Sequence, residues 1–389
     1  MKLRFGTVVW GKKFTDRFLT ACLPGQLSPQ NLPFVATRAD CRYRIYTTSA
    51  DADTIRRSVS HDALASIMPV EIAEISGLAL VGRYSAMTQC HSHFLKSYRS
   101  EDVAFVTTNP DWVWSNGAMA RLLQLAEAGK RLVALTGPRV VAESFLPEYL
   151  QQLDRAPGNV LTARELVRLA LRHLHPITQS RLWETTGRRS CGGELWWMVR
   201  DEGLLTRQFH LHPILVRPAD RQIVLKKTID ADYITAMVTT WDDVHIVQDS
   251  DDLCILDFTS IAEPVDAAPD GNTIDDVVMW ARDSTLAPHR EFVLRPIRFH
   301  WTDCSPAWRE VEQRSDAVVA TILDRLALIP TEPARLSRTR YLRPGFWRAK
   351  VLRFGLRQLA FAASSRLLQR VGGALGRNAI AITLTTGRR

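Results

Sequence analysis

Hydrophobic and polar positions in the first third of the chain alternate between two periods, which predicts strands followed by helices. The apolar run at 3–10 predicts a strand, and the segment TDRFLTACLPGQL after it spaces Phe18, Leu19, Cys22 and Leu23 as one face of a helix. Repeated β–α units of this kind favour a mainly parallel sheet covered by helices, an α/β fold. The alternation continues to residue 136, with strands at 43–47, 103–107 and 131–136, helices at 51–68, 84–98 and 118–128, and a loop at 108–116.

The pattern beyond residue 140 is less regular. It predicts a helix at 163–173 and short strands near 195–199, 214–217, 223–225 and 245–247, which we interpret as an α+β elaboration of the same sheet. Stretches rich in turn residues at 260–272 and 328–345 are the candidate boundaries. We therefore divide the chain into residues 1–140, 141–330 and 331–389.

Charge is distributed unevenly along the chain, whose formal net charge is +9. From residue 335 onward there are 13 Lys or Arg and no Asp or Glu, so the preceding residues carry 37 basic and 41 acidic side chains. A mildly acidic body with a strongly basic tail predicts that the tail meets an anionic surface, either phospholipid or nucleic acid.

Composition and short motifs count against several protein classes. The 389 residues are 46% hydrophobic and 23% charged, as in globular proteins, and no run approaches the roughly 18 apolar residues of a membrane span. The first residues show no apolar core followed by a cleavage site, so we expect a cytoplasmic protein. The six cysteines contain no CxxC and are interpreted as buried thiols. GxSxG, GxxxxGK[ST], HExxH and GxGxxG are all absent, which disfavours hydrolases, P-loop NTPases, zinc proteases and dinucleotide enzymes.

The most informative segment is VAFVTTNPDWVWSNGAMARLLQLAEAGKRLVAL, at 103–135. A buried strand ends in a polar turn that carries Asn109 and Asp111, and a helix follows. Ligands of open α/β sheets bind at this edge, and a carboxylate two residues from a second oxygen ligand suits a hard divalent cation with phosphate oxygens. The alternative is an Asx/Pro turn in which Asp111 only caps the following residues.

This segment resembles the DxD region of the GT-A glycosyltransferases, with Asn109 at the first DxD position. The resemblance covers about residues 3 to 136 and implies a GT-A-like, Rossmann-type mixed sheet with helices on both faces. It implies that residues 1–140 bind a nucleotide-sugar donor, with Asn109 and Asp111 on the diphosphate directly or through Mn²⁺ or Mg²⁺. Residues 141–330 would form the acceptor side of the same catalytic domain. The end of the first strand would lie beside the nucleotide base, at Thr7, Val8 and Val9.

Histidines supply further candidates. In FHLHPILV, His210 and His212 would share one face of an extended strand, where they could bind a metal or a diphosphate. GT-A enzymes often bring a late histidine or acidic residue back to the metal, and His212 is our candidate; the alternative is a pair of half-exposed strand histidines. His91 precedes the strand that leads to Asp111 and is a candidate for lining the nucleotide pocket. The alternative is that it only packs in the core or on the surface.

Acidic residues supply the candidate general bases. Glu194 follows two glycines in SCGGELWW, beside Trp196 and Trp197, which could stack on a sugar ring. Asp230 and Asp232 in TIDADYI form a second DxD, which could bind a metal or activate an acceptor hydroxyl, or could simply lie in a loop. The run QDSDDL at 248–253 is interpreted as a solvated turn.

The tail contains the segment GFWRAKVLRFGLRQLAFAASSRLLQR, which can be drawn as a basic amphipathic helix. Lys350, Arg353 and Arg357 share one side and apolar residues the other. This predicts reversible binding to an anionic membrane. The alternatives are a helix that packs on the body and a tail that binds RNA. Nucleic acid is disfavoured because the body has no basic surplus and no recognisable reader motif.

The sequence thus leads to a principal hypothesis and an alternative. The first is a glycosyltransferase that moves a sugar from a nucleotide sugar to a polysaccharide, glycolipid or protein acceptor, at the cytoplasmic face of the inner membrane. The second is a catalytically inactive, membrane-peripheral scaffold of the same fold in envelope polysaccharide assembly, in which Asn109 marks a lost metal site. Donor binding separates the two hypotheses.

Overall fold

The computed structural model of the chain describes residues 1–78, 82–155, 160–184, 192–219, 225, 229, 240–263, 273–328 and 380–385. Its strands are β1 (Lys2–Val8), β2 (Asp40–Thr47), β3 (Val70–Ser76), β4 (Ala104–Thr108), β5 (Trp112–Trp114), β6 (Leu132–Leu135), β7 (Arg139–Val141), β8 (Glu194–Val199), β9 (Gly203–Gln208), β10 (His212–Val216), β11 (Val244–Ile246), β12 (Ile255–Thr259), β13 (Ile297–His300) and β14 (Ala381–Thr385). Its α-helices are α1 (Lys12–Arg17), α2 (Leu23–Gln26), α3 (Leu32–Ala36), α4 (Ser49–Arg56), α5 (Val59–Ile67), α6 (Arg83–Ser97), α7 (Ala118–Glu127), α8 (Ala142–Arg155), α9 (Ala163–Arg172), α10 (Pro176–Gln179), α11 (Ile274–Ser284), α12 (Ala287–Val293) and α13 (Pro306–Ala327).

The central sheet has the strand order β11-β6-β10-β4-β1-β2-β3-β14. Strands β1 to β4 run parallel, whereas β10 is antiparallel to both β4 and β6, and β14 is antiparallel to β3. Helices flank this mixed sheet, which confirms the predicted α/β class. The carboxyl ends of β1 and β4 lie side by side, because Thr7 pairs with Thr108.

Two three-stranded sheets complete the described part of the chain. One has the order β5-β12-β7, and its strand β5 follows β4 in the sequence after a short turn. The other has the order β13-β9-β8. The second sheet packs on α11 and α13 around a smaller apolar core that includes Leu195, Trp197 and Trp308. The sequence predicted neither of these sheets as a unit.

Several predicted elements match the structure closely. Helices α7 and α9 end one residue earlier than predicted, α6 is shifted by one residue at both ends, and the predicted stripe of Phe18, Leu19, Cys22 and Leu23 is buried. That stripe continues through a π-helical turn, Phe18–Cys22, which joins α1 to α2. α6 packs tightly on β1, since a Cβ on Gly6 would lie 2.6 Å from the Phe94 ring.

Other predictions are wrong at the level of single elements. The helix expected at 51–68 is two helices, because the Ser58 hydroxyl accepts a hydrogen bond from the His61 N–H and starts α5 as a new helix. The loop expected at 108–116 contains β5, and the strands β3 and β14 were not predicted. The strand expected near 223–225 lies almost wholly outside the described residues, as does the amphipathic helix expected in the tail.

The cysteine prediction holds for four of the five residues described. Cys22, Cys41, Cys90 and Cys254 are buried free thiols, whereas Cys304 is exposed, which corrects the prediction there. Cys191 lies outside the described residues. None of the helices that the structure describes is both long enough and apolar enough to cross a bilayer.

Gly137 offers a test of how the two sheets meet at the site edge. A Cβ at this position would lie 2.3 Å from the Ile255 carbonyl oxygen on β12, and backbone cannot yield cheaply. We expect Gly137→Ala to lower the free energy of unfolding by about 1–3 kcal/mol, as overpacking does. Urea denaturation measures the loss. Gly82→Ala is the matched control, because open space surrounds Gly82 and its φ is −69°, so the loss should stay below about 1 kcal/mol. Equal losses in the two variants would contradict the steric argument.

Candidate active site

The Asn109-Pro110-Asp111 turn connects β4 to β5 at the carboxyl edge of the central sheet. Two contacts fix its backbone: the Phe258 N–H donates to the Asp111 carbonyl at 2.9 Å, and the Cys22 thiol donates to the Pro110 carbonyl at 3.1 Å. The turn is therefore held from β12 on one side and from the first helical segment on the other. This places Asp111 where ligands of α/β sheets bind.

A buried polar network supports the end of β4. The Tyr43 hydroxyl donates to Gln26 Oε1 at 2.9 Å and lies 2.9 Å from the Thr108 hydroxyl. All three side chains are fully buried or nearly so, and burial raises the pKa of Tyr43 well above its usual range. The network joins β2, β4 and α2 directly below the turn, so the position of Asn109 and Asp111 follows from packed, hydrogen-bonded side chains.

The small sheet β5-β12-β7 brings a second carboxylate to Asp111. Asp257 on β12 lies opposite Trp112 on β5 and opposite Arg139 on β7, so these three residues form one row across the sheet. The Arg139 guanidinium donates from Nη2 to Asp257 Oδ2 at 2.9 Å, and the Thr259 hydroxyl donates to Asp257 Oδ1 at 3.3 Å. Asp257 is thus a fixed, charge-paired carboxylate beside the Asn109-Asp111 turn.

Asp111 is the most perturbed acid of the described residues. Burial and the neighbouring Asp257 carboxylate raise its pKa from 3.8 to about 8, against a lowering by Arg139. Its carboxylate accepts a hydrogen bond from its own backbone N–H, and within the described residues it has no ion pair. A partly buried carboxylate in this state gains from any cation or donor that a ligand brings.

Glu194 lies at the start of β8, within the field of the same arginine. Its carboxylate forms an ion pair with Arg181 and accepts a hydrogen bond from the Trp196 indole at 3.3 Å. Burial raises its pKa, but Arg181 and then Arg139 outweigh burial, so the net shift is downward. Glu194 is therefore ionised at neutral pH, as a general base must be before it accepts a proton.

The two tryptophans after Glu194 cannot serve as a sugar platform. Trp196 packs against Phe299 and Trp197 against Trp183, and each is about 99% buried. The expectation that they stack on a sugar ring is wrong, because both side chains of this strand face apolar cores rather than solvent.

The two histidines of FHLHPILV do not share one strand face. β10 begins at His212, whose ring lies edge-on to Trp112 at 5.4 Å, beside the row that contains Asp257. His210 precedes the strand and stacks on His289 at 4.3 Å, next to Trp280. The turn between β9 and β10 sends the two imidazoles to different surroundings, so only His212 stays near the candidate site.

The other candidates fall into two groups. Thr7 and Val8 end β1 and Val9 follows, all three buried, and His91 is buried in α6, the helix that packs on β1. Their role beside a nucleotide stays a prediction. Asp230 and Asp232 lie outside the described residues.

A separate group of potential metal ligands combines the turn before β12 with the last residue of β13. One ligand atom each of Asp249, Asp251 and His300 falls within 4.8 Å of the others. His300 contacts Asp249 Oδ1 at 2.9 Å, and this hydrogen bond raises the pKa of the imidazole. These residues could hold a metal ion. Residues 249–252 form a turn with Asp251 exposed, as predicted, but the carboxylates are not merely solvated: Asp251 also pairs with Arg164, and Asp252 pairs with Arg121 and His245.

Sequence reasoning missed Asp257 and Arg139. Both lie on short strands, in LCILDFT and in GPRVV, where one charged residue interrupts an apolar run. A charged side chain within a buried strand is a signal of function or pairing. Neither segment stood out in the sequence, since these two strands pair with each other across more than a hundred residues.

Comparisons with known proteins give weak likenesses. No protein-family model matches the chain, and no curated protein sequence is similar to it. Among solved structures, the crystal structure of S. aureus TarS is similar at 11% identity and a TM-score of 0.32, covering 85% of this chain and 44% of that one. A shorter form, TarS 1-349, gives 10% identity and a TM-score of 0.34, covering 90% and 79%. The chain spans less than half the length of the longer TarS structure, and scores at this level do not establish a shared fold.

The raised pKa of Asp111 predicts a pH dependence of stability. A carboxyl group that holds its proton more tightly when folded favours the folded state at low pH. That contribution is lost as the pH rises from about 4 to about 8. The Asp111→Asn variant stays neutral at every pH. We therefore expect its free energy of unfolding, relative to that of the parent, to increase by about 1–3 kcal/mol between pH 5.5 and pH 8. Urea unfolding of both proteins at the two pH values, with EDTA present, measures this. A stability difference that is the same at both pH values would refute the shift.

Proposed function

We propose that the protein is a glycosyltransferase that uses a nucleotide-sugar donor. One observation carries this proposal: the donor-side Asp111 and the acceptor-side Glu194 both interact electrostatically with a single guanidinium, that of Arg139. The two candidate groups, 83 positions apart in the sequence, therefore border one site. The likeness to S. aureus TarS is too weak to support the proposal.

The donor half of the site is formed by the turn after β4. Asn109 and Asp111 offer amide and carboxylate oxygens, and Asp257 adds a second carboxylate beside them. Oxygen donors of this kind suit Mg²⁺ or Mn²⁺, and the unpaired carboxylate of Asp111 fits such an ion. Asp111 and Asp257 would hold it, in place of the expected His212. A bound cation neutralises charge on the leaving diphosphate.

The acceptor half of the site is formed by Glu194. Its ionised carboxylate accepts the proton of an acceptor hydroxyl as the oxygen bonds to the anomeric carbon, while the bond from that carbon to the phosphate oxygen breaks. Arg181 keeps the carboxylate ionised and fixes its direction. The proposal includes inversion at the anomeric carbon, with Glu194 and the leaving diphosphate on opposite sides of the reacting carbon.

The tail provides the proposed attachment to a membrane. Its 13 basic residues without a carboxylate would bind anionic lipid at the cytoplasmic face of the inner membrane, since the body is slightly acidic and would not. A polysaccharide or lipid-linked acceptor would be met there. This part of the proposal rests on the sequence alone.

Donor binding tests the proposal directly. Thermal unfolding against UDP-, GDP-, CMP- and dTDP-sugars, each with and without Mn²⁺, should show a raised midpoint for one nucleotide, because a ligand that binds only the folded state stabilises it. Asp111→Ala should lose that shift. A panel without any shift for the parent would favour the inactive scaffold.

Glu194→Gln is the matched variant for the chemical step within the same test. It should bind the donor like the parent, because it leaves the donor half intact, and should lower transfer at least about 100-fold through the loss of the base. Transfer by Glu194→Gln at the parent rate would remove Glu194 from the mechanism.

Vesicle flotation tests the tail. The full-length protein should float with vesicles that contain anionic lipid and release in high salt. Replacing Lys350, Arg353 and Arg357 by Gln should weaken binding by about 3 kcal/mol, roughly 1 kcal/mol for each charge. A triple Gln variant of the exposed body residues Lys12, Arg38 and Arg172 is the control. Equal loss in both variants, or none in either, would contradict the assignment to the tail.

A further inference from the structure

Arg139 is held at the centre of the candidate site by its backbone and by its ion pair. Its carbonyl accepts hydrogen bonds from the His175 N–H at 2.9 Å and from the Thr178 hydroxyl at 3.2 Å. Its guanidinium pairs with Asp257. The side chain therefore leaves a rigid strand at a fixed point, beside both Asp111 and Glu194.

The guanidinium keeps unused hydrogen-bond capacity. An arginine carries five N–H donors in a planar fork, and within the described residues Arg139 uses Nη2 alone, on Asp257. The side chain is 33% exposed, whereas Asp257 is 15% exposed, so a ligand can reach the arginine. Asp257, Glu194 and Asp111 together raise the pKa of Arg139, which keeps it charged. A charged fork with free donors is the group that recognises phosphate.

The neighbouring cations in the described part of the chain are already engaged. Arg181 is 11% exposed and is paired with Glu194. Arg17 is 12% exposed, is paired with Glu263, and lies over the Phe258 ring. Glu194 is paired with Arg181, and Asp257 is paired with Arg139 itself, so each of these two carboxylates is matched by one guanidinium and leaves no surplus negative charge.

We propose that Arg139 binds the phosphate groups of the leaving nucleoside diphosphate through the donors that Asp257 leaves free. The inference rests on the proposed function and adds a substrate-contacting residue to it. Asp257 is then the residue that aims the guanidinium, and Arg139 stabilises the negative charge that appears as the bond to the sugar breaks.

Titration calorimetry of the full-length protein tests this with pyrophosphate, UDP and GDP, in EDTA and again with Mg²⁺. We expect Arg139→Gln to weaken binding of the preferred ligand at least tenfold, and Arg139→Lys to give an intermediate loss because it keeps the charge without the fork. A nucleoside diphosphate that binds more tightly than pyrophosphate identifies the nucleotide as the ligand. Equal binding would limit recognition to the phosphates, which still depends on Arg139.

Two further variants separate phosphate binding from structural support. Asp257→Asn keeps the arginine and an amide oxygen that can still accept its hydrogen bond, and it removes a negative charge beside the phosphates, so in EDTA it should bind diphosphate at least as tightly as the parent. A merely structural ion pair would make it behave like Arg139→Gln. Arg121→Gln is the matched control, because Arg121 is 37% exposed and also has one carboxylate partner, Asp252, but lies on α7. It should bind like the parent.

The outcomes distinguish this inference from the proposed function. Parent-like binding by Arg139→Gln, or no binding of any of the three ligands by the parent, overturns the inference. Pyrophosphate binding that depends on Arg139, without binding of any nucleotide sugar, would support the inference while refuting the glycosyltransferase. Transfer by the parent with diphosphate binding independent of Arg139 would do the reverse.

Discussion

Removal of carboxylates from bulk water is the constraint on which the candidate site depends. Asp111, Asp257 and Glu194 all interact with the Arg139 guanidinium, and each loses part of its hydration in the fold, which disfavours an unpaired charge there. The three residues avoid this energetic cost in different ways. Asp257 and Glu194 each receive a guanidinium, whereas Asp111 keeps a proton at neutral pH. The site is therefore prepared for charge that a substrate and its cation bring.

The sheet geometry explains how distant segments reach this balance. The turn after β4 is local and could be found from the sequence, since a buried strand, a polar turn and a helix follow one another. The remaining groups come from β7, β8 and β12. Strands β7 and β12 pair with each other across more than a hundred residues, whereas β8 pairs with the neighbouring strand β9. Arg139 and Asp257 are brought together by the pairing of β12 with β7, which places Asp257 opposite Arg139. On its other side β12 pairs with β5, which places Asp257 opposite Trp112.

The difference between what could and could not be predicted follows from this. Long amphipathic helices such as α6 and α9 show their period within one window, so their bounds were nearly right. Strand β5 has three residues, too few to show a hydrophobic period. Its two tryptophans are buried, and its pairing partner β12 is far away in the sequence. Asp111, Glu194 and His212 could be proposed from their residue types and their neighbours in the sequence. Asp257 could not, because only the fold shows that its neighbour is another carboxylate.

Strand β14 has a consequence for the chain between it and α13. Both ends of the basic stretch are attached to the body, since β14 pairs with β3 over five residues and the Ile380 N–H donates to Gln89 Oε1. Residues 328 and 380 thus tether residues 329–379 to the body at both of their ends, so those residues stay within reach of the central sheet.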